Sequence, residues 1–179
     1  MATQAQLRGY LLEEALAWLL RRSGYELLTS VADDPVELSQ QGKHTLFVQG
    51  RGARHQVDVL GQFAFTPAFS LPIRLFLEAK FRDAPCVLRD VRQAHGLLRD
   101  VNENFAVGPS GRPRRRYQYS YALFSTSGFT KAAQEYALAH QISLVDLSGV
   151  SFRWLLDPVL NTAGTLFDSD SGFHSKRAV

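Results

Sequence analysis

The chain has 179 residues, 45% of them hydrophobic, and a formal net charge of +3. This length supports one well-buried domain and is short for two. Its single cysteine, Cys86, excludes an intrachain disulfide framework and a multi-cysteine zinc site, and it fits a reducing compartment. No apolar run approaches the length of a membrane span, and the amino terminus lacks the pattern of a signal peptide. We therefore expect a cytoplasmic protein with no membrane partner.

The first half of the chain predicts one helix followed by strands. Apolar residues recur at helical spacing over 4–22, and Ser23-Gly24 supplies a stop. A short strand is expected over 25–31 and a polar loop over 33–42. Three further segments have the composition of strands and are expected to form an antiparallel meander: 46–49, 55–65 and 73–81.

The second half predicts alternating helices and strands. A helix is expected to begin near Pro85, and residues 102–116 form the main loop. A βαβ unit follows, with a parallel strand pair and a right-handed crossover. Its parts are strand 119–125, helix 130–140 with Thr130 as N-cap, and strand 142–147.

A last short helix is expected over 152–160. Residues 1–160 are thus predicted to form a single domain, and residues 161–179 a C-terminal tail rich in Gly, Ser and Asp. The predicted fold class is α/β. It comprises a mixed central sheet, built from the antiparallel meander and the parallel βαβ unit, with helices on both faces.

Two of the predicted strands carry charged residues among apolar ones. In the run 75–81, Glu78 and Lys80 share one face, roughly 7 Å apart, because successive strand side chains point to opposite faces. Asp58 lies upstream between two valines. An acid followed about twenty residues later by an acid-x-Lys can gather two carboxylates around a divalent cation beside an amine. That arrangement is typical of nuclease chemistry.

Phosphodiester cleavage needs an activated nucleophile and neutralisation of phosphate charge, which divalent cations held by carboxylates supply. Asp58 and Glu78 are the candidate metal ligands, and the backbone carbonyl of Ala79 adds a third oxygen. Lys80 is expected to orient or deprotonate the attacking water, its pKa lowered by the neighbouring cation. The alternative is that all three are solvated residues on an exposed sheet face.

Helix 4–22 contributes a further acid. Glu13 neighbours Gly9, Leu16 and Leu20 on the helical wheel, so it borders the buried stripe and is a candidate ligand for a metal-bound water. Alternatively, Glu13 is a boundary residue whose carboxylate reaches solvent.

In the order and spacing of these residues, the sequence resembles the PD-(D/E)xK nuclease superfamily and, within it, the Mrr-like restriction endonucleases. Four stretches carry the resemblance: Gly9-Tyr10-Leu11-Leu12-Glu13, His55-Gln56-Val57-Asp58-Val59, Glu78-Ala79-Lys80, and 124–147 from Phe124-Ser125-Thr126-Ser127-Gly128 onward. The Pro-Asp of the superfamily name is here Val57-Asp58. The resemblance implies a mixed sheet flanked by helices and magnesium-dependent DNA cleavage, with Mn²⁺ expected to substitute.

The resemblance also implies site residues. Asp58, Glu78 and Lys80 fall on the family's metal and catalytic positions, and Glu13 falls on its helix-one acid. Gln93 corresponds to a glutamine that faces the catalytic lysine in some members, although an ordinary surface role would explain it too.

Candidate nucleic-acid contacts lie in two places. Gln56 shares the strand face of Asp58 and can touch the scissile strand. A basic cluster followed by tyrosines suits phosphate contacts and base stacking, although a solvated loop would also explain it. Its arginines are Arg112, Arg114, Arg115 and Arg116.

Two function classes remain open. The first is a metal-dependent DNA endonuclease that contacts mainly the phosphate backbone of its substrate. The second is a catalytically inactive nuclease-like domain that binds nucleic acid or serves as a structural subunit of a larger assembly. Structure-specific cleavage of junctions or RNA is a third option, which shares the site of the first. The oligomeric state is open, with a homodimer among the options.

Overall fold

A computed structural model describes residues 3–42, 45–104 and 116–175, with side chains described through Phe167. The helices of this part are α1 Gln4–Arg22, α2 Leu88–Asn102, α3 Lys131–Ala139 and α4 Arg153–Ser175. Its strands are β1 Tyr25–Leu27, β2 Leu38–Gln41, β3 Thr45–Gln49, β4 Arg54–Val57, β5 Val59–Phe63, β6 Ile73–Lys80, β7 Gln118–Ser125 and β8 Ser143–Asp146. None of the described helices is both long and apolar enough to cross a membrane.

The strands form a five-stranded mixed sheet and a three-stranded antiparallel sheet. The order in the larger, central sheet is β1-β5-β6-β7-β8, with β1, β5 and β6 antiparallel and β6, β7 and β8 parallel. The smaller sheet has the order β2-β3-β4. The predicted α/β fold with a mixed central sheet and flanking helices is confirmed. The antiparallel part, however, is completed by β1 and not by β3.

The single strand predicted over 55–65 is divided in two at Asp58. Val57 pairs with Leu46 of the small sheet, whereas Val59 pairs with Leu77 of the central sheet. The chain therefore changes sheets at Asp58, which lies outside both strands. This correction matters for function, because it places the candidate acid at the junction of the two sheets.

The central sheet is covered on both faces. Phe76 and Leu123 belong to a core that includes α2, α3 and the small sheet, while Leu77 and Ala122 belong to a second core formed with α1 and α4. Because faces alternate along β6, Glu78 takes the same face as Phe76. The candidate acid thus lies on the α2 side of the sheet.

Three boundaries differ from those expected. Strand β2 occupies part of the predicted polar loop, because backbone pairing to β3 forms a ladder that the polar side chains Ser39, Gln40 and Gln41 do not signal. Helix α2 begins at Leu88 and not near Pro85, since Cys86 instead forms backbone hydrogen bonds with Gly128 and Thr130.

The third difference is in the predicted tail. Helix α4 continues through Ser175, so it does not end near residue 160 and most of 161–179 is helical. Leu155, Val159 and Ala163 recur at four-residue spacing and are buried, and α4 packs against α1. Burial of this stripe explains why the helix persists where the composition suggested a tail.

Close packing of α1 on the central sheet depends on Gly61 in β5. A Cβ atom at this position would lie 2.7 Å from Leu20 Cδ2 and 3.1 Å from Tyr25 Cβ. We expect Gly61→Ala to lower the free energy of unfolding by about 1–3 kcal/mol through overpacking. Chemical denaturation measures this. Gly96→Ala on α2 is the control, because its Cβ meets nothing within 4 Å, and it should be neutral or stabilising.

Candidate functional site

An open cleft is bounded by the paired strands β6 and β7, by the end of β4 and by α2. Its volume is about 350 Å³. The polar residues lining it are Gln56, Asp58, Glu78, Lys80, Gln93 and Tyr121. The structure therefore brings together the two acids, the lysine and both glutamines singled out from the sequence. Their catalytic and binding roles remain predictions.

Glu78 is held from both sides. Lys80 Nζ forms an ion pair with Glu78 Oε1, and the Tyr121 hydroxyl donates a hydrogen bond to Glu78 Oε2. The strand alternation that puts Glu78 and Lys80 on one face makes the first contact, and the parallel neighbour β7 supplies the second. The Glu78 carboxylate is thus fixed in the cleft by two donors.

Asp58 lines the cleft and is exposed to solvent, yet the protein atoms around its carboxylate partly desolvate it. This desolvation, and then the negative charge of Glu78, raise the pKa of Asp58 above its usual value, while Lys80 acts in the opposite direction. The negative charge of Glu78 beside Asp58 creates a position where a cation is favoured.

The Lys80 amine is stabilised in its charged form. Burial alone would lower the pKa of Lys80, but the hydrogen bond and charge of Glu78, followed by the charge of Asp58, raise it overall. The lowered pKa of Lys80 that the sequence analysis expects beside a bound cation is therefore absent when no cation is bound. It requires a positive charge that competes with Lys80 for the two carboxylates.

Glu13 approaches the same charges from α1. It lines a second cavity, of about 340 Å³, that shares Val57 and Asp58 with the cleft. Burial, and then the charge of Asp58, raise the pKa of Glu13 to about 7. A carboxylate that is only partly ionised at neutral pH, next to Asp58, is consistent with the predicted position of Glu13 at the edge of the site.

The donor set suits a hard divalent cation. Among the described residues, no group of three or more His, Cys, Asp and Glu side chains is placed to hold a metal. Mg²⁺, however, is commonly bound by one or two carboxylates and keeps several waters. The pair Asp58 and Glu78 meets that requirement, and a cation between them would relieve the repulsion that raises the pKa of Asp58.

Two other sequence-predicted positions can be placed. The Ala79 side chain packs in the α1 and α4 layer, while its backbone carbonyl remains a predicted ligand. His55, which belongs to one of the stretches that carry the resemblance, points away from the cleft, and its Nε2 lies 2.7 Å from Asp100 Oδ2.

The basic cluster is only partly described. Arg112, Arg114 and Arg115 lie outside the described residues, whereas Arg116 donates a 3.5 Å hydrogen bond to the Asn102 carbonyl. The neighbouring tyrosines Tyr119 and Tyr121 are buried, so the idea that they stack on bases is wrong for both. They share one face of a central strand with Leu123, and this face belongs to the core, which explains the burial.

Sequence reasoning missed the contribution of Tyr121 to the site. The residue is buried beside Phe76, with ring centroids 5.9 Å apart, and its hydroxyl reaches Glu78 across the strand pair. Burial, and then Glu78, raise the pKa of Tyr121, so it is a neutral hydrogen-bond donor. A signal for this contact was available in the sequence. If the connections β6-α2-β7 and β7-α3-β8 are both recognised as crossovers, β6 and β7 are parallel neighbours, and Tyr121 can then be placed on the same face as Glu78.

We expect Tyr121→Phe to cost 10–100-fold in activity or in apparent Mg²⁺ affinity, as is typical when a partner of a metal-binding carboxylate is removed. The measurement is the rate of DNA cleavage as a function of Mg²⁺ concentration. Tyr136→Phe is the matched control, because it removes a hydroxyl that bonds His95 on the far side of α2. Equal effects of the two substitutions would contradict a role for Tyr121 in the site.

Two solved structures resemble this one at low sequence identity. The crystal structure of a protein of unknown function, AF1548, matches with a TM-score of 0.52 and 20% identity over 83% of this chain and 65% of that one. The MspJI restriction endonuclease in complex with a 27-mer oligonucleotide matches with a TM-score of 0.44 and 16% identity over 88% of this chain and 31% of that one.

No established protein family and no curated protein matches the sequence. The chain spans 65% of AF1548, and that likeness supports the fold alone. A functional conclusion therefore depends on the chemistry of the cleft.

Proposed function

We propose that this chain is a metal-dependent endonuclease that hydrolyses DNA phosphodiester bonds, with Mg²⁺ as its cofactor and Mn²⁺ able to substitute. The observation that carries the proposal is the convergence of Asp58, Glu78 and Lys80 on one open cleft. The order and spacing of the motifs, which resemble those of Mrr-like restriction endonucleases, support the same conclusion.

Each residue has a distinct role in this proposal. When bound, Mg²⁺ would neutralise negative charge on the scissile phosphate and activate water for attack. Asp58 and Glu78 hold the cation, with the Ala79 carbonyl as a further ligand, and Tyr121 orients Glu78. Lys80 would orient the attacking water or, once its pKa is lowered by the bound cation and its amine is neutral, accept a proton from that water. Glu13 holds an outer water at the edge of the site.

The two glutamines are assigned to the substrate side of the cleft. Gln56 is exposed and lies two residues before the junction at Asp58, where it can contact the scissile strand. Gln93 lines the cleft from α2, and its proposed role is to orient the phosphate or the lysine. The arginines of the basic cluster remain proposed backbone contacts, and the phosphate backbone is the main DNA feature recognised.

The test is incubation of the purified protein with supercoiled plasmid, linear duplex and single-stranded DNA, each with Mg²⁺, Mn²⁺ or EDTA. We expect nicking or linearisation of plasmid with either metal and none with EDTA. Asp58→Asn protein purified in parallel controls for contaminating nucleases. Wild-type protein that binds DNA but is inert with every metal and substrate would favour the non-catalytic, nuclease-like binding domain.

A further inference from the structure

One side of the small sheet is partly exposed to solvent. Alternation along β2, β3 and β4 puts Leu38, Leu46, Val48 and Val57 on its inner face, toward the core. We call the opposite side the outer face. It is formed by Ser39, Gln41, Thr45, Phe47, Gln49, Arg54 and Gln56.

The composition of the outer face suits a polyanion. Strands β2, β3 and β4 contain no Asp or Glu, and the outer face combines an arginine with amides and hydroxyls. Arg54 is exposed, and no ion pair joins it to a carboxylate within the described part of the chain. Acids near the turn that precedes β4 are already paired, Asp100 with His55 and Glu103 with Arg51.

The guanidinium of Arg54, on the outer face, is oriented by an aromatic neighbour before any ligand binds. Phe47 lies beside Arg54 on the neighbouring strand, with the guanidinium carbon 5.5 Å from the ring centroid. Stacking on an aromatic ring fixes a guanidinium plane while leaving its N–H groups free to contact phosphate or a base edge. Less side-chain freedom is then lost on binding.

The sheet itself is anchored on α2. Asp100 accepts hydrogen bonds from the backbone N–H groups of Gly52 and Ala53, and its own carbonyl accepts one from Arg51. A Cβ at Gly50 would lie 2.0 Å from the Asp100 carboxylate, so only glycine permits this approach. The hairpin of β3 and β4 is therefore fixed relative to the helix that lines the cleft.

The outer face is continuous with the cleft through Gln56. This residue pairs with Phe47 across the hairpin and also lines the cleft beside Asp58. A ligand lying on the outer face would extend directly into the candidate active site. We propose that the outer face of the small sheet is a docking surface for double-stranded DNA, an inference that rests on the nuclease function proposed above.

Double-stranded DNA fits this surface in charge and in hydrogen-bonding groups. Arginine and glutamine side chains pair with phosphates and with base edges in the major groove, and β-sheets read DNA in this way. The major groove, about 12 Å wide, admits a two-stranded β-ribbon, and β3 and β4 form such a pair with Arg54 and Gln56 on its outer face. The face thus supplies substrate contacts beside the cleft that the basic cluster does not explain.

The experiment compares duplex binding by full-length variants in EDTA, where cleavage is absent, using fluorescence anisotropy over a range of salt concentrations. Arg54→Glu reverses the charge on the outer face, and Gln41→Glu adds one at an exposed position on its edge strand. Arg22→Glu is the matched control, since Arg22 also stacks on an aromatic ring, Trp18, but on α1 across the central sheet. Thermal unfolding checks that each variant is folded.

We expect Arg54→Glu to weaken duplex binding about tenfold and to reduce the log–log salt slope by about one, with a smaller loss for Gln41→Glu and little change for Arg22→Glu. Equal losses for Arg54→Glu and Arg22→Glu, or none, would overturn the proposal. Wild-type protein that binds single strands but not duplex would overturn it as well.

Cleavage by the wild type in Mg²⁺ is scored separately. If the wild type cuts DNA while the outer-face variants bind normally, the docking surface is wrong and the nuclease function stands. If binding falls only in the outer-face variants but no metal supports cleavage, the nuclease function is wrong and the docking surface stands.

Discussion

Replacing Asp58 by Asn, or Glu78 by Gln, is expected to lower the rate of DNA cleavage by on the order of a thousandfold or more, with duplex binding retained. Both substitutions keep the size of the side chain but remove a negative charge that holds the cation. Metal ions supply several kcal/mol of transition-state stabilisation, and each 1.4 kcal/mol or so is tenfold in rate. Single-turnover cleavage at saturating DNA measures the effect.

Glu26→Gln is the matched control for these substitutions. Glu26 is an exposed acid on β1 of the same central sheet, so its replacement makes the same change in net charge away from the cleft. Because Glu78→Gln also leaves Lys80 without its ion-pair partner, unfolding by denaturant must be measured in parallel. Full activity in folded Asp58→Asn protein, together with an inactive Glu78→Gln preparation that excludes a contaminating nuclease, would remove Asp58 from the site.

Much of the local structure could be predicted because local physics decides it. Helix α1 has the predicted bounds, since an apolar stripe and a terminal Ser23-Gly24 act over a few residues. Thr130 caps α3 as predicted, accepting a hydrogen bond from the Ala133 N–H. The shared face of Glu78 and Lys80 follows from the two-residue period of a strand. These features need no knowledge of the tertiary fold.

The features that could not be predicted depend on contacts distant in sequence. Strand β2 exists because β3 pairs with it, although its own residues are mostly polar. The break at Asp58 arises because Val57 and Val59 pair in different sheets. The alternation of apolar and polar residues along the strand does not reveal this change of partner. The contact from Tyr121 to Glu78 joins residues 43 positions apart. Each requires the strand order of the sheets.

A buried charge network also depends on contacts distant in sequence, and the sequence did not reveal it. Arg74 on β6 is only 1% exposed, and its guanidinium donates to Asp34 Oδ2 at 2.7 Å, to the Gln62 side chain and to the Tyr119 hydroxyl. The Tyr117 ring also lies against it, with 3.4 Å from the guanidinium carbon to the ring centroid. Four separate segments of the chain are thus joined at one cation.

The consequence is a large expected effect on stability. Asp34→Asn leaves the Arg74 charge buried without its counter-ion, and we expect it to lower the free energy of unfolding by about 3 kcal/mol or more. Glu135→Gln, which breaks the exposed pair with Lys131, should have a barely measurable effect. Urea denaturation of the wild type and both variants makes the comparison.

The pH dependence of that loss follows from the same contact. Burial would raise the pKa of Asp34, but the hydrogen bond and charge of Arg74 lower it below the usual value. A lowered pKa in the folded state means that the contribution of Asp34 to stability is present above the unfolded-state pKa, about 4, and is lost as the pH falls through the folded-state value. The difference between wild type and Asp34→Asn should therefore be largest near neutral pH and shrink in acid. A difference that is constant or that grows in acid would show that the Asp34 carboxylate does not stabilise the fold through its charge.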